Sequence, residues 1–284
     1  MSGADVVITE FTDPGCPWAY SAEPFRRRLR WLYGDALEWR YRMVVLAEDP
    51  QEYLDKGFTP ERLSSAYATI ARDHGMPIDT ALRPRVAATA PACRAVVATR
   101  LRAPAAEEAI LRAFRVRAMS GELLDESSTV RNAAADAGLD PDEVERWSAE
   151  EAVEQAMRED MAAAREPIPA ARVLDDKLAN WSGGRRYTCP SYEIVRGSDG
   201  VRIAVPGFQP FAAYDVVLAN LVPGTDRRQA PDSVLEVLDW AGEPLATREV
   251  AVVCDIDHAK AREELGRVAD EEHVGADGFW SRAA

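Results

Sequence analysis

The chain has 284 residues and a net charge of −14. Its length exceeds a single minimal core and suits two or three compact units. The acidic balance disfavours phosphate backbones and anionic membranes, so neither nucleic acid nor a membrane is expected as a partner. Met1–Glu10 carries no secretion signal, and no run approaches the ~20 apolar residues of a membrane span, so the expected compartment is the cytoplasm.

Val6–Phe11 is a short apolar, β-branched run that stops at Thr12-Asp13-Pro14-Gly15, which predicts a buried strand ending in a turn. Cys16-Pro17-Trp18-Ala19-Tyr20 follows and opens an amphipathic helix reaching about Tyr33. In it Phe25, Leu29 and Leu32 lie at helical spacing among Arg26, Arg27, Arg28 and Arg30. Pro17 suits the first helical position, where a missing N–H costs nothing. Leu37–Leu46 predicts a second strand, completing a strand–helix–strand opening.

From about Asp49 to Glu166 the periodicity is helical throughout: Pro60–His74, Pro91–Arg102, Ala105–Gly121, Ser128–Gly138 and Pro141–Met161. This stretch is too long for a simple connection and reads as a helical subdomain. Strand signals return at Tyr187–Val195 and Val201–Val205, a hairpin, followed by a helix at Pro210–Leu221. The last segment predicts helices at Asp232–Trp240, Thr247–Cys254 and Asp257–Val268, then a small hairpin at His273–Trp280. Three helices and a hairpin describe a winged-helix-like unit. Its fourteen acidic against seven basic residues from Asp226 onward argue against DNA binding and for a packing or dimerisation module. In that module Phe279-Trp280 would dock on a neighbour, as in a homodimer.

Chemistry concentrates on Cys16. A helix N-terminus offers a partial positive charge and free N–H groups, both of which stabilise a thiolate. Trp18 would shield one side of the sulfur, and Asp13 would oppose ionisation if it points inward. Cys189-Pro190 is the second feature. Proline within a strand signal means either a trans proline beginning an edge strand or a cis peptide. The cis form would turn Cys189 towards Cys16 and free its backbone to pair with an extended substrate. No pair of the four cysteines has metal-binding spacing, and no metal or tightly bound cofactor is expected. His74, His258 and His273 are scattered. Cys254, among apolar neighbours, reads as packing.

Strand, then Asp13-Pro14-Gly15-Cys16-Pro17-Trp18, then a helix with Glu23-Pro24, then Trp39-Arg40-Tyr41 resembles the DsbA-like thioredoxin superfamily. Within it the likeness is to FrnE-like disulfide oxidoreductases, with kappa-class glutathione transferases and hydroxychromene carboxylate isomerases as cousins. Ala92-Cys93-Arg94 is similar to the Ala-His-Arg of the family's helical insertion, and Val205–Pro210 to its C-terminal strand-to-helix step. The likeness covers about residues 5 to 222 and fails around Pro167–Arg186.

The resemblance implies an α/β fold: a thioredoxin-like domain over 1–48 and 167–224, split by a helical insertion at 49–166. The winged-helix-like unit at 228–284 stands outside it. It also implies a thiol site at Cys16, with Pro17 and Trp18, facing Cys189 and a cis Pro190. Ala19 stands where the redox family has a second cysteine, so another thiol must complete any cycle. Cys189 or a low-molecular-weight thiol would serve. The expected activity is monothiol disulfide exchange or thiol transfer on a small thiol or disulfide-containing substrate. Trp18, Thr188, Cys189, Arg185 and Cys93 would be its contacts, with Arg185-Arg186 holding a carboxylate. The alternatives are a thiol-cofactor-dependent isomerase or transferase and a non-catalytic binding protein.

Overall fold

The computed structural model describes residues 4–283. The chain opens with β1 (Val6–Thr12), α1 (Pro17–Ser21), α2 (Glu23–Tyr33) and β2 (Leu37–Met43). Seven helices and a one-turn eighth follow: α3 (Pro50–Asp55), α4 (Pro60–His74), α5 (Ala90–Arg102), α6 (Glu107–Met119), α7 (Ser127–Asp136), α8 (Pro141–Ser148), α9 (Glu151–Ala164) and α10 (Pro169–Arg172). Strands resume with β3 (Ala179–Trp181), β4 (Gly184–Arg186), β5 (Ser191–Arg196) and β6 (Arg202–Val205), closed by α11 (Phe211–Leu221). The remainder is α12 (Val234–Ala241), β7 (Leu245–Ala246), α13 (Thr247–Cys254), α14 (His258–Leu265), β8 (Ala269–Val274) and β9 (Asp277–Arg282).

The main sheet runs β2-β1-β5-β6, with β1 parallel to β2 and the other pairs antiparallel. Parallel β1 and β2 need a crossover, which α1 and α2 supply. Val6 and Ile8 of β1 and Tyr192 and Ile194 of β5 share one buried face with Leu29 of α2 and Leu218 of α11. This is a thioredoxin fold interrupted between β2 and β5 by a helical layer with its own core.

The helix expected from Pro17 to Tyr33 is two, α1 and α2, broken at Ala22, and three further differences from the sequence have local causes. The Pro141–Met161 run is two helices, because the chain breaks at Ala149-Glu150. The returning strand begins at Ser191, after the prolyl turn. A separate hairpin, β3–β4, precedes it around Ser182-Gly183; any side chain at Gly183 would strike the Trp181 ring.

Phe279 and Trp280 do not reach outward. Trp280 is buried against Val237 and Val250 and donates to the Thr247 hydroxyl at 2.8 Å, and Phe279 packs into the core of the helical layer. α12, α13 and α14 turn Val237, Leu238, Val250, Val253 and Leu265 onto the Trp280 ring's core, so these aromatics are consumed within the chain. Trp31 of α2 enters the same core, and its indole donates to the Gln229 carbonyl at 2.8 Å.

The arginines of α2, read from sequence as its polar side, join the units. Arg27 reaches Glu243 and Glu249, and Arg28 reaches Asp255 at 2.6 Å. Glu23 is fully buried between Arg26 and Arg115. Arg112 of α6 forks onto Glu249 at 2.8 and 2.9 Å. Among the described residues no helix is long and apolar enough to cross a membrane.

Candidate thiol site

β1 ends at a turn in which Asp13 organises everything around it. Its carboxylate is fully buried and accepts from the Gly15 amide at 2.7 Å, the Leu46 amide at 2.8 Å, the Thr89 hydroxyl at 2.7 Å and the Cys93 thiol at 3.5 Å. Burial pushes its pKa up, while the Leu46, Thr89 and Gly15 bonds pull the other way. The turn delivers Cys16 in extended conformation as the residue preceding α1, with Pro17 at the first helical position. Tyr20 donates its amide to the Cys16 carbonyl at 3.0 Å and closes the first helical turn.

Across from it the Cys189–Pro190 peptide is cis. Ser191 holds this turn, donating to the Thr188 carbonyl at 2.7 Å and accepting from the Gly207 amide at 3.0 Å. The Cys16 thiol donates to the Cys189 carbonyl at 3.3 Å, which places the two cysteines side by side although 173 residues separate them. All four cysteines are free.

The Cys16 thiol is held below its ordinary pKa, first by a hydrogen bond from the Cys189 thiol; the Ala19 and Trp18 amides at the helix start add to this, against burial and the Asp13 charge. The Cys189 thiol moves the opposite way, pushed well up by burial and by its neighbour. Environment therefore divides the pair into an ionisable sulfur and a proton-holding one.

Cys16 is only 5% exposed. Its access is through a cavity of about 300 Å³ between α1 and the helical layer, lined near the sulfur by Pro17, Trp18 and Thr89 and walled by Leu63, Tyr67, Ile70, Val86 and Leu124. Lys56, Arg83, Arg85 and Arg186 stand around these apolar walls. A reactant must carry something that fits this space.

Several residues expected at the site lie elsewhere. Cys93 is 0% exposed, and burial followed by the Asp13 charge drives its pKa well up; it supports Asp13 rather than a ligand. Arg185 turns away to Asp175 at 2.9 Å, because the β3–β4 hairpin alternates its side chains; Arg186 is the one that lines the cavity. Thr188 does not line it either, its hydroxyl being spent on the Lys177 carbonyl at 2.9 Å. Trp18 does line it and rests edge-on against His74 and Phe208, at ring separations of 5.0 and 5.5 Å. Thr89, Tyr67 and Leu124 went unnoticed in the sequence because they come from helices and loops far along the chain. Among the described residues no group of three or more His, Cys, Asp or Glu side chains is placed to hold a metal ion.

Asp13→Asn is expected to lower the alkylation midpoint of Cys16, since it removes a charge that opposes the thiolate. The same change presents an amide N–H₂ to donors, so urea unfolding should show a loss of about 1–3 kcal/mol. An unmoved midpoint would mean that Asp13 carries no charge while Cys16 ionises.

Residues 7–169 match the DSBA-like thioredoxin domain family. The ClpXP adapter protein SpxH of Halalkalibacterium halodurans is 25% identical over 270 residues, spanning 92% of this chain and 82% of that protein. The fold is shared with the cytosolic disulfide reductase DsbM of Pseudomonas aeruginosa (TM-score 0.52, 20% identity, 76% of this chain and 99% of that one). It is shared also with a probable DsbA oxidoreductase of Streptomyces coelicolor (TM-score 0.53, 18% identity, 77% and 91%). The match covers more than half the chain and includes the turn that presents Cys16, so this protein belongs to the DSBA-like thioredoxin domain family.

Proposed function

We propose that the protein performs thiol–disulfide exchange in the cytoplasm through one nucleophile, Cys16. The observation that carries this reading is the sulfur itself: it sits at a helix start, lies 3.3 Å from the Cys189 carbonyl beside the cis turn, and opens onto an apolar cavity. The Cys16 thiolate attacks one sulfur of a substrate disulfide. The S–S bond breaks, a mixed disulfide with Cys16 forms, and the departing thiolate takes a proton. A second thiolate then attacks the Cys16 sulfur. If it is Cys189, the substrate leaves as two thiols and the protein is left with a Cys16–Cys189 disulfide, oxidised by the two electrons the substrate gained. If it is a low-molecular-weight thiol, the substrate half leaves as a thiol and Cys16 now carries the small thiol in a mixed disulfide; a second small thiolate attacks the small-thiol sulfur of that bond, which releases the Cys16 thiolate and the oxidised small-thiol disulfide. No tightly bound cofactor is required. The cis turn before β5 would align the substrate backbone.

Alkylation by iodoacetamide against pH, read as mass on Cys16, tests it. The expected midpoint lies below the free-thiol value of about 8.5. A midpoint at or above that value removes the thiolate on which the reading depends.

One observation favours a second reading. The likeness to an adapter protein spans 92% of the chain, which cannot be reached without entering the C-terminal unit. On this reading the fold is a protein-binding scaffold and Cys16 is dispensable. Cys16→Ser separates the two: affinity for a captured client protein would be unchanged for a scaffold and lost for a mixed-disulfide enzyme.

A further inference from the structure

Among the described residues, Arg248 is the only arginine with neither a hydrogen bond nor an ion pair within the protein; even those without a carboxylate partner, such as Arg62, Arg172 and Arg186, reach backbone carbonyls. In a chain of net charge −14 an unused guanidinium is unusual. It is also half-buried, and burial alone pulls its pKa down. A half-buried guanidinium with no partner inside the protein keeps its planar fork of donors free for a carboxylate.

Arg248 is the second residue of α13, and its aliphatic stem lies along Gly75, the left-handed residue that ends α4. Its head faces a cleft of about 800 Å³ between the end of α4 and the β8–β9 turn. The other charges there are already matched. Arg72 pairs with Asp73 at 2.9 Å, and Asp277 takes His258 at 2.8 Å together with Arg262. His74 is held below its ordinary pKa by burial and does not add a charge near neutral pH. One positive charge is left over, which suits a monoanion such as a carboxylate better than a phosphate dianion.

The walls indicate the rest of the ligand. Ala68, Ala71, Met76 and Pro77 give an open, apolar lining that fits a chain rather than a small ion. One end is His74, whose ring touches Trp18 beside Cys16. α4 separates the two cavities, turning Leu63, Tyr67 and Ile70 to the thiol and Ala68 and Ala71 to the cleft.

We propose that this cleft binds an extended peptide segment through one carboxylate, with Arg248 as the anchor and the chain running over His74 towards Trp18. Capture of the carboxylate is independent of the thiol reading; only its delivery of a substrate to Cys16 rests on that reading.

The full chain is titrated with three blocked tripeptides while the Arg248 Nε–H resonance is followed. These are acetyl-Ala-Ala-Leu as the acid, the same peptide as its amide, and acetyl-Ala-Glu-Leu amide. The expected result is a saturable shift with one or both carboxylate peptides and none with the neutral amide. A response to the first places the chain terminus at Arg248, and a response to the third an acidic side chain. In Arg248→Gln, followed through backbone amides of the cleft, binding should weaken about tenfold or more. Arg248→Lys should retain most of it, which excludes misfolding as the cause. Equal binding of the neutral amide, no saturable shift with any peptide, undiminished binding in Arg248→Gln, or sulfate binding as tightly as the peptides would each overturn the proposal. Iodoacetamide alkylation of Cys16 in the same sample reports separately on the thiol.

Discussion

Glu23→Ala is expected to lower the free energy of unfolding by about 3–5 kcal/mol, because it leaves buried guanidinium groups without their counter-charge. Glu23 is fully buried and bonded to Arg26 and Arg115, with Arg112 at 3.7 Å. Burial pushes its pKa up, but Arg26, Arg115, Arg112 and Arg27 outweigh this and hold the carboxyl well below its usual range. The cluster is not fully satisfied: Glu10 Oε2 and the Nε atoms of Arg26 and Arg115 have no partner. Such a network need not surpass an apolar core of the same shape, yet removing one member is expensive. Equilibrium urea unfolding measures the loss. Glu38→Ala, which breaks an exposed pair with Arg40, should cost under about 1 kcal/mol. The pH dependence has a definite sign. A carboxyl whose folded pKa is depressed contributes its stability above the unfolded value of about 4.3, and loses it as pH falls through the folded value. Wild type should therefore weaken in acid below that range, and the Glu23→Ala protein should show a flatter profile there. Equal slopes would show that Glu23 is not held ionised by its arginines.

Cys189→Ser is expected to change the chemistry of Cys16 in two readouts at once. The Cys189 thiol supplies the leading hydrogen bond that lowers the Cys16 pKa. A serine hydroxyl is shorter and reaches less well, so the alkylation midpoint should rise. After treatment with an oxidised small thiol, wild type should pass through a Cys16 adduct to a species lighter by two hydrogens, the internal disulfide. The variant should stop at the adduct. Disulfide formation needs Cα atoms within about 7 Å, a condition that neighbouring sulfur and carbonyl positions make reachable. If wild type also stops at the adduct, a small thiol rather than Cys189 completes the cycle.

Local pattern carried much of the architecture. An apolar, β-branched run ending in a turn marked β1, partial alternation marked β2, and the helical spacing of Pro60–His74 and Pro91–Arg102 matched α4 and α5 closely. Cys16 was legible because a strand, a Pro-Gly turn and a prolyl helix start are contiguous in the chain. The neighbourhood of Cys189 was legible only in part: proline in a strand signal flagged a special turn, while the paths of Arg185 and Thr188 depended on a hairpin that sequence periodicity does not reveal in three-residue strands.

What the amino-acid order determined by itself is the set of short-range facts: which segments coil or extend, where helices begin, and which cysteine stands at a helix start. Those follow from backbone geometry and side-chain spacing within a few residues. What only the tertiary structure decided is which distant groups meet. It set Cys189 against Cys16, gave Asp13 to Thr89 and Cys93, buried Arg26 and Arg27 of α2 among Glu23, Glu108, Glu243 and Glu249, and left Arg248 without a counter-charge among the described residues. Burial and charge pairing depend on the whole packed arrangement, and no local window of the chain encodes them.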